Sequence, residues 1–201
     1  TTFGISSSAG IPEAVSADTI VLPLDDMRAV EVAISDYKDD IAAIIIEPIQ
    51  GEGGFNVVPQ KYLEGLREYC TEHGIMLIMD EVQSGFGRTG HWASWQHFNV
   101  QPDLSVYAKS LGSGMPIAAV VGKAEIMDAA APGTLGGTYI GNPVCCAAAI
   151  ATIQFMKDQN LNQRAIEIGE IISKRFHKLQ SEHSEIGDVR GLGAMTGIEF
   201  V

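Results

Sequence analysis

The chain has 201 residues, 46% of them apolar and 19% charged, a composition typical of a globular protein with a substantial core. Its 13 basic residues against 25 acidic ones give a net charge of −12 without any basic cluster, so we expect no nucleic-acid partner. The longest apolar run, around residues 144–153, is shorter than the roughly 20 residues of a membrane-spanning helix, so we expect no membrane partner.

The cysteines and histidines form no pattern typical of a disulfide framework or a metal site. Three cysteines are an odd number, which together with the adjacent Cys145 and Cys146 favours a reducing, cytoplasmic setting. His91 and His97 lack the spacing of a helical metal pair, so no metal is predicted. The chain begins without methionine and ends inside an apolar pattern, so both ends look cut from a longer protein.

The first forty residues predict a loop, a short strand and a helix. Small residues dominate positions 1–10 and favour a loop, and residues 19–24 have the pattern of a strand. Asp25 and Asp26 can cap the helix that follows. The apolar positions of that helix recur at helical spacing: Met27, Val30, Ile34 and Tyr37.

A strand, a helix and a second strand follow at the spacing of a βαβ unit. Residues 41–46 predict a buried strand, and residues 75–79 predict another one. Pro59 suits the first turn of the helix between them, and Gly74 suits its end. The apolar stripe of this helix contains Tyr62, Leu63, Leu66, Tyr69 and Cys70. Such a unit predicts a parallel sheet.

The second half of the chain predicts two strands, two helices and a final strand pattern. Residues 103–108 predict a strand, and residues 116–122 follow so closely that an antiparallel neighbour is expected. A helix begins at Asn142 and Pro143, and its apolar character on all sides predicts deep burial. A long amphipathic helix contains Leu161, Ala165, Ile168, Ile172, Phe176 and Leu179. Beyond Gly187 a glycine-rich strand pattern indicates a second domain.

A carboxylate and a lysine follow two of the predicted parallel strands. Asp80 comes directly after residues 75–79, and Lys109 follows residues 103–108 and precedes glycines that let a ligand approach. Ligands of open α/β sheets bind at the carboxyl ends of strands, and a lysine amine there can form an imine with a carbonyl group. A structural ion pair is the alternative.

Four segments of the chain, taken together in their order, resemble motifs of the class III (ω-amino) aminotransferases of fold type I, in particular the 4-aminobutyrate aminotransferases. They cover residues 44–54, 80–90, 108–110 and 136–143. The resemblance implies a three-layer αβα fold of the α/β class with a mostly parallel sheet. It further implies that residues 1–186 belong to the large domain and that residues 187–201 begin a small α+β C-terminal domain.

The resemblance also implies pyridoxal 5'-phosphate as the cofactor, held by Lys109 as an imine. Asp80 would keep the ring nitrogen protonated, Val82 would pack on the ring, and Gln83 would contact the ring hydroxyl. Glu81 competes with Asp80, but consecutive strand side chains face opposite ways, and the resemblance selects Asp80. Thr138 would reach the phosphate of the neighbouring subunit in a homodimer with shared sites, although a helix cap would explain this threonine equally well.

Glu47 leaves the strand 41–46 before Pro48 and is expected to face the same crevice. A buried carboxylate needs a cation, and in the family the arginine that grips the substrate carboxylate lies downstream of Val201. We expect Glu47 to pair with that arginine while an ω-amino donor is bound and to release it for the second carboxylate of a keto acid. A fixed structural ion pair is the alternative.

The implied reaction is ping-pong transamination between an amino acid and a keto acid, here an ω-amino acid such as 4-aminobutyrate and 2-oxoglutarate. Lys109 would release the cofactor and then act as general acid and base. Alternatives within the family are ornithine, acetylornithine or diamine aminotransferases and aminomutases. A Rossmann-type nucleotide-binding domain is another alternative, but the chain lacks the glycine-rich fingerprint of such domains. A non-catalytic relative is a third, but it would not need Lys109 and Asp80. Arg88 is expected to be structural.

Overall fold

The structure is a computed structural model that describes residue 6 and residues 8–38 and 40–201. Of the loop predicted for residues 1–10, residues 1–5 and 7 therefore lie outside the described residues, as does residue 39. The chain divides into two compact units, residues 1–42 and residues 43–201.

The described part of the first unit contains two helices, α1 (Glu13–Ala17) and α2 (Met27–Asp36). The predicted cap of α2 is confirmed, because Asp26 Oδ1 accepts the backbone N–H of Ala29 at 2.9 Å. Val30 and Ile34 are buried, as the helical spacing predicted. The strand predicted at residues 19–24 is wrong: the segment is irregular and its apolar residues stay largely exposed. A strand pattern becomes a strand only where a neighbouring chain segment supplies ladder hydrogen bonds.

The second unit is built on a mixed sheet of four strands with helices packed against it. Its elements in chain order are β1 (Ala43–Ile46), β2 (Ile49–Gln50), β3 (Asn56–Val57), α3 (Gln60–His73), β4 (Met76–Asp80), a 3₁₀ helix (Ser94–His97), β5 (Leu104–Tyr107), a 3₁₀ helix (Lys109–Gly112), β6 (Ala119–Gly122), α4 (Ala124–Met127), α5 (Pro143–Asp158), α6 (Leu161–Glu182), β7 (Ile186–Leu192) and β8 (Met195–Phe200).

The order of the main sheet is β1-β4-β5-β6. β1 pairs with β4 and β4 with β5 in parallel, whereas β5 pairs with β6 antiparallel. This arrangement confirms both the predicted βαβ unit and the predicted antiparallel neighbour. Because the three parallel strands run the same way in register, their carboxyl ends meet at one edge of the sheet.

The central helix α3 follows its sequence signals closely. Pro59 stands at the N-cap, and Gly74 at the C-cap adopts the left-handed conformation with φ 68°. The buried face contains Tyr62, Leu63, Leu66 and Cys70. Burial of these side chains against the sheet stabilises the unit by roughly 1.5–3 kcal/mol for each large apolar residue.

Two expectations of burial are wrong. Ile45 in β1 is 61% exposed, because β1 is the edge strand of the described sheet. Helix α5 buries Cys145, Ala149 and Met156 but leaves Val144, Ile150 and Phe155 exposed. The helix packs with one face on the 3₁₀ helix Lys109–Gly112 and on α6, and the described residues do not cover its other face. Across the described part of the chain, no helix has the length and hydropathy to cross a membrane.

The C-terminal part of the unit is a hairpin packed on the long helix α6. Strands β7 and β8 pair antiparallel, and β7 contacts both α6 and β3. Gly169 on α6 lies so close to the Gly193 carbonyl of the hairpin turn that a Cβ at Gly169 would collide with it. The predicted start of a small domain near residue 187 stays a prediction.

A buried aspartate that the sequence analysis did not single out ties the sheet together. Asp103 is 7% exposed, and its carboxylate accepts from Arg67 Nη1 at 2.8 Å, Leu77 N at 2.8 Å and Lys123 Nζ at 2.6 Å. These donors come from α3, from β4 and from the residue after β6. Burial raises the pKa of Asp103, but the hydrogen bonds from Lys123, Leu77 and Arg67 outweigh it and lower the pKa to about 2.

Replacing Asp103 by asparagine is expected to lower the free energy of unfolding by about 2 kcal/mol at pH 7, because two cations and a buried amide lose their charged acceptor. The folded-state pKa lies below the ordinary value of 3.8, so the stabilisation is present above about pH 4 and is lost as the pH falls toward 2. Urea unfolding of the intact protein across this range measures both effects. Glu167→Gln, which breaks the exposed Arg164 pair, is the control and should change stability by less than about 0.5 kcal/mol.

Candidate active site

Three predicted site residues follow the carboxyl ends of three adjacent parallel strands. Glu47 follows β1, Asp80 ends β4, and Lys109 comes two residues after β5. Ile46 stands opposite Met79, and Asp80 stands opposite Val106, so the strand ends are level. The sheet register therefore brings these three residues to one crevice, although they are separated by up to 62 positions (109 − 47) in the chain.

Asp80 is half-buried at the strand end. Its Oδ1 accepts the backbone N–H of Val82 at 2.9 Å, which turns the chain sharply after β4. Its other carboxylate oxygen has no hydrogen-bond partner within the described part of the chain. The side chain is therefore fixed at one oxygen and available to a ligand at the other.

Glu81, the competing carboxylate, belongs to the core. It is 1% exposed and accepts four hydrogen bonds of 2.9 Å: from Ser84 Oγ, Ser94 N, Ser94 Oγ and Trp95 N. Burial raises the pKa of Glu81, while the hydrogen bonds from Ser94, Trp95 and Ser84 act to lower it. The structure thus separates the two neighbouring carboxylates, as the alternation along a strand predicted.

Lys109 occupies a backbone conformation that is unusual for a lysine. It begins the 3₁₀ helix after β5 with φ 46°, in the left-handed region. Its exposed ammonium has no hydrogen bond or ion pair to any described residue. With Ala108 and residues 114–118 it lines an open pocket of about 620 Å³. Backbone strain of this kind is concentrated at functional sites, which supports a function for this lysine.

Glu47 stands in the electrostatic field of the other two residues. Burial raises the pKa of Glu47, a hydrogen bond from the Gly51 N–H lowers it, Asp80 raises it and Lys109 lowers it. The carboxylate is half-buried, and none of the described arginines or lysines forms an ion pair with it. The expected proximity of Glu47 to Asp80 and Lys109 is therefore present, and the expected cation is not among the described residues.

Gln83 lies over the glycine-rich loop that follows β2. Its Nε2 donates to Glu52 Oε1 at 2.6 Å, and its side chain fills the space where a Cβ at Gly51 would lie. Val82, next to it, is half-buried. Glu52 is a third acid at the crevice, beside Glu47 and Asp80, and the sequence analysis did not assign it although it stands within the motif 44–54. Its position between Gly51 and Gly53 is the sequence feature that could have indicated a role at the site.

Thr138 belongs to a wholly exposed segment, residues 129–141, and no hydrogen bond joins it to another described residue. The alternative that Thr138 caps the next helix is wrong, because Asn142 caps α5 by accepting from Val144 N at 3.0 Å and Cys145 N at 3.3 Å. The first amides of α5 are therefore already partnered.

Residues 87–90 form a tight turn that is closed by a hydrogen bond from Gly90 N to Gly87 O at 3.0 Å. The side chain of Arg88 is exposed, and its backbone carbonyl accepts from Ala194 N at 3.0 Å. The backbone at position 88 thus joins the turn to the C-terminal hairpin, and the structural role expected of the Arg88 side chain stays a prediction.

Comparison with known proteins identifies a family for nearly the whole chain. The sequence model of the family described as aminotransferase class-III matches residues 2–201. The chain is 52% identical over 161 residues to a 5-aminovalerate aminotransferase of Pseudomonas aeruginosa, and the match covers 80% of this chain and 38% of that protein. It is also 52% identical over 162 residues to a 4-aminobutyrate aminotransferase of Escherichia coli, covering 81% of this chain and 38% of that protein. The chain thus spans about two fifths of the length of these relatives.

The similar proteins are named for more than one substrate and more than one reaction. A leucine/methionine racemase of Thermococcus litoralis is 48% identical over 165 residues, with 82% of this chain and 37% of that protein covered. Among solved structures, the ornithine aminotransferase of Toxoplasma gondii superimposes with a TM-score of 0.85 at 38% identity, covering 90% of this chain and 43% of that one. Its crystals show partial occupancy of PLP at the active site. This likeness confirms the predicted α/β fold of type I.

Proposed function

Because the chain belongs to the class III aminotransferase family, we propose that it provides the lysine and the ring-facing carboxylate of a pyridoxal-phosphate-dependent transamination site. The observation that carries the proposal is the meeting of Glu47, Asp80 and Lys109 at the ends of three adjacent strands. Class III aminotransferases use pyridoxal phosphate, and the residues at this edge suit it chemically. They supply an amine without a partner, a carboxylate with one oxygen available, and an amide beside a glycine.

Each residue has a distinct task in this proposal. When bound, pyridoxal phosphate withdraws electrons from the carbon that carries the substrate amine. Lys109 holds the cofactor covalently through Nζ and, once released by substrate, carries the proton that leaves and returns to substrate carbon. Asp80 stabilises the protonated ring nitrogen, Val82 packs on the ring, and Gln83 contacts the ring hydroxyl.

We propose an ω-amino acid such as 4-aminobutyrate as the donor and 2-oxoglutarate as the acceptor. The names of the two relatives at 52% identity support a straight-chain ω-amino donor. An acetylornithine aminotransferase of Methanopyrus kandleri, 42% identical over 178 residues, keeps ornithine-type donors as the alternative within the family. Racemisation is a second candidate, favoured by the 48% identity to a leucine/methionine racemase, because a lysine that moves a proton at carbon serves that reaction too.

A donor panel with the intact protein tests this assignment. The panel contains 4-aminobutyrate, 5-aminovalerate, ornithine, acetylornithine, a diamine, leucine and methionine, each with and without 2-oxoglutarate. We expect glutamate to form fastest with the two ω-amino acids and only when 2-oxoglutarate is present. Inversion of leucine or methionine without any keto acid would instead establish the racemase activity.

We also propose a homodimer in which Thr138 serves the phosphate of the neighbouring subunit. The full exposure of the segment around Thr138 supports this, since Leu135, Tyr139 and Ile140 are large apolar side chains left in solvent.

A cytoplasmic setting is proposed because all three cysteines are free thiols.

Glu47→Gln is expected to slow the half-reaction of the ω-amino donor at least about tenfold more than the half-reaction of the keto acid. We expect the Glu47 carboxylate to pair with a substrate-binding arginine while the ω-amino donor is bound and to release it for the keto acid. A glutamine cannot neutralise that arginine, so the donor half-reaction should suffer more. Single-turnover spectroscopy of the two half-reactions measures the difference.

Glu52→Gln is the matched variant, because Glu52 is the other glutamate at the crevice and is exposed where Glu47 is half-buried. Equal losses in both half-reactions for Glu47→Gln would leave that residue a structural role only. Selective damage to the donor step by Glu52→Gln instead would move the switching role to Glu52.

A further inference from the structure

Glu81 is a buried carboxylate that the proposed chemistry does not use. Its side chain is 1% exposed, and no lysine or arginine among the described residues forms an ion pair with it. Burying a carboxyl group without a cation is costly, and an apolar residue of similar size would avoid that cost. The presence of an acid at this position therefore needs a specific reason.

The hydrogen-bond geometry requires an acceptor at both side-chain oxygens. Glu81 Oε2 accepts the backbone N–H of Ser94, and Oε1 accepts the backbone N–H of Trp95, both at 2.9 Å. Backbone amides cannot reverse their direction, whereas the hydroxyls of Ser84 and Ser94 can. A glutamine would place its NH₂ group against one of these N–H donors in either orientation. Only a carboxyl group satisfies both.

These bonds join two segments directly behind the crevice. Ser94 and Trp95 begin the 3₁₀ helix Ser94–His97, and Ser84 belongs to the turn after β4 that also carries Val82 and Gln83. The backbone of Glu81 is fixed as well, because its N–H donates to Val106 O on β5 at 3.0 Å and its carbonyl accepts from Gly85 N at 3.0 Å. Both the main chain and the side chain at position 81 are thus held from several sides.

Asp80 is the residue directly before this anchor. Glu81 directly follows β4 and continues its pairing with β5 through the bond to Val106 O, so the side chains at positions 80 and 81 face opposite sides. A side chain held in the core at position 81 therefore fixes the direction of the side chain at position 80. Among the described residues, the Val82 N–H is the single hydrogen-bond donor to the Asp80 side chain. We infer that Glu81 is a positioning residue: its four hydrogen bonds hold the end of β4 in the orientation that aims Asp80 at the crevice. This inference rests on the proposed function, because it assigns Asp80 to the ring nitrogen.

The test is a double-mutant cycle on cofactor affinity, with Glu81→Gln and Asp80→Asn made singly and together in the intact protein. The dissociation constant of pyridoxal 5'-phosphate is measured by absorbance titration of the apoprotein, without any amino donor. Glu81→Gln is expected to weaken binding about tenfold when Asp80 is present and by less than about twofold when Asp80 is asparagine, because the two residues act as one unit. The same fold-change in both backgrounds would overturn the inference.

A control separates positioning from general loss of stability. Asp103→Asn also removes a buried carboxylate that binds a backbone amide in the same sheet, but Asp103 is at the opposite end of β5 from Lys109. It should lower the temperature of unfolding while leaving cofactor affinity within about twofold of the unmodified protein. If it weakens cofactor binding as much as Glu81→Gln does, the effect of Glu81 is only structural.

Ser94→Ala replaces Glu81→Gln in the cycle if the glutamine variant does not fold. It removes one hydroxyl donor and keeps both backbone donors, so about a threefold weakening of cofactor binding that depends on Asp80 is expected.

Failure of the proposed function can be distinguished from failure of this inference. The proposed function fails if neither Asp80→Asn nor Lys109→Ala changes binding of the cofactor. If those variants weaken binding but the cycle is additive, only the role of Glu81 is lost.

Discussion

Lys109→Ala is expected to reduce transamination by the intact protein by at least about three orders of magnitude, because one amine both holds the cofactor and moves the substrate proton. The fold should remain, since the ammonium has no hydrogen bond or ion pair to the described residues and alanine fits the 3₁₀ helix. Initial rates of glutamate formation measure the loss, and circular dichroism measures the fold. Lys61→Ala, on the exposed side of α3, is the control and should leave the rate unchanged.

Borohydride reduction provides an independent measurement of the same assignment. Reduction of the loaded protein should fix the cofactor permanently to the peptide that contains Lys109. Peptide mapping by mass spectrometry identifies the labelled lysine without any knowledge of the substrate. A label on Lys61, Lys123 or another lysine would contradict the assignment, whatever the rate of the alanine variant.

Asp80→Asn is expected to lower the turnover number by at least about two orders of magnitude, because an amide cannot keep the ring nitrogen of the cofactor protonated. The variant should fold normally, since the one hydrogen bond of the Asp80 side chain within the described residues comes from the Val82 N–H, and an amide oxygen can accept it. Turnover with saturating donor and the temperature of unfolding are the two measurements.

Asp128→Asn, at the exposed C-cap of α4, provides the matched control for removing one negative charge from the acidic chain. It should change neither measurement. A near-normal rate in Asp80→Asn would mean that the carboxylate only shapes the turn after β4. A large loss of rate together with a large fall in unfolding temperature would point to the same structural role.

Helices α2 and α3 could be predicted from the sequence because capping residues and apolar spacing, which act over a few residues, determine where they begin and end. Pro59, the apolar stripe and Gly74 set the bounds of α3, and Asp26 set the start of α2. The alternation along a strand predicts that Asp80 and Glu81 face opposite sides, and the family resemblance selects Asp80 for the crevice. The motif order gave the family and the α/β class, which the family match and the structural likeness confirm.

Burial was predicted less well, because it depends on what covers an element and not on the element itself. Helix α5 is apolar all round, yet Ile150 is 68% exposed, and β1 is an edge strand of the described sheet with Ile45 in solvent. The segment 19–24, which has a strand pattern, pairs with no other strand within the described part of the chain. A hydrophobic pattern states which side chains prefer burial and leaves open whether a neighbour buries them.

The polar contacts between distant segments were decided by tertiary structure alone. Asp103 meets Arg67, 36 positions away, and Glu81 meets Ser94 and Trp95, 13 and 14 positions away, through bonds that no spacing rule encodes. The sequence by itself determined the residue types at the strand ends and the family they belong to. The sheet register decided that Glu47, Asp80 and Lys109 share one crevice, because parallel strands in register bring their carboxyl ends to a single edge.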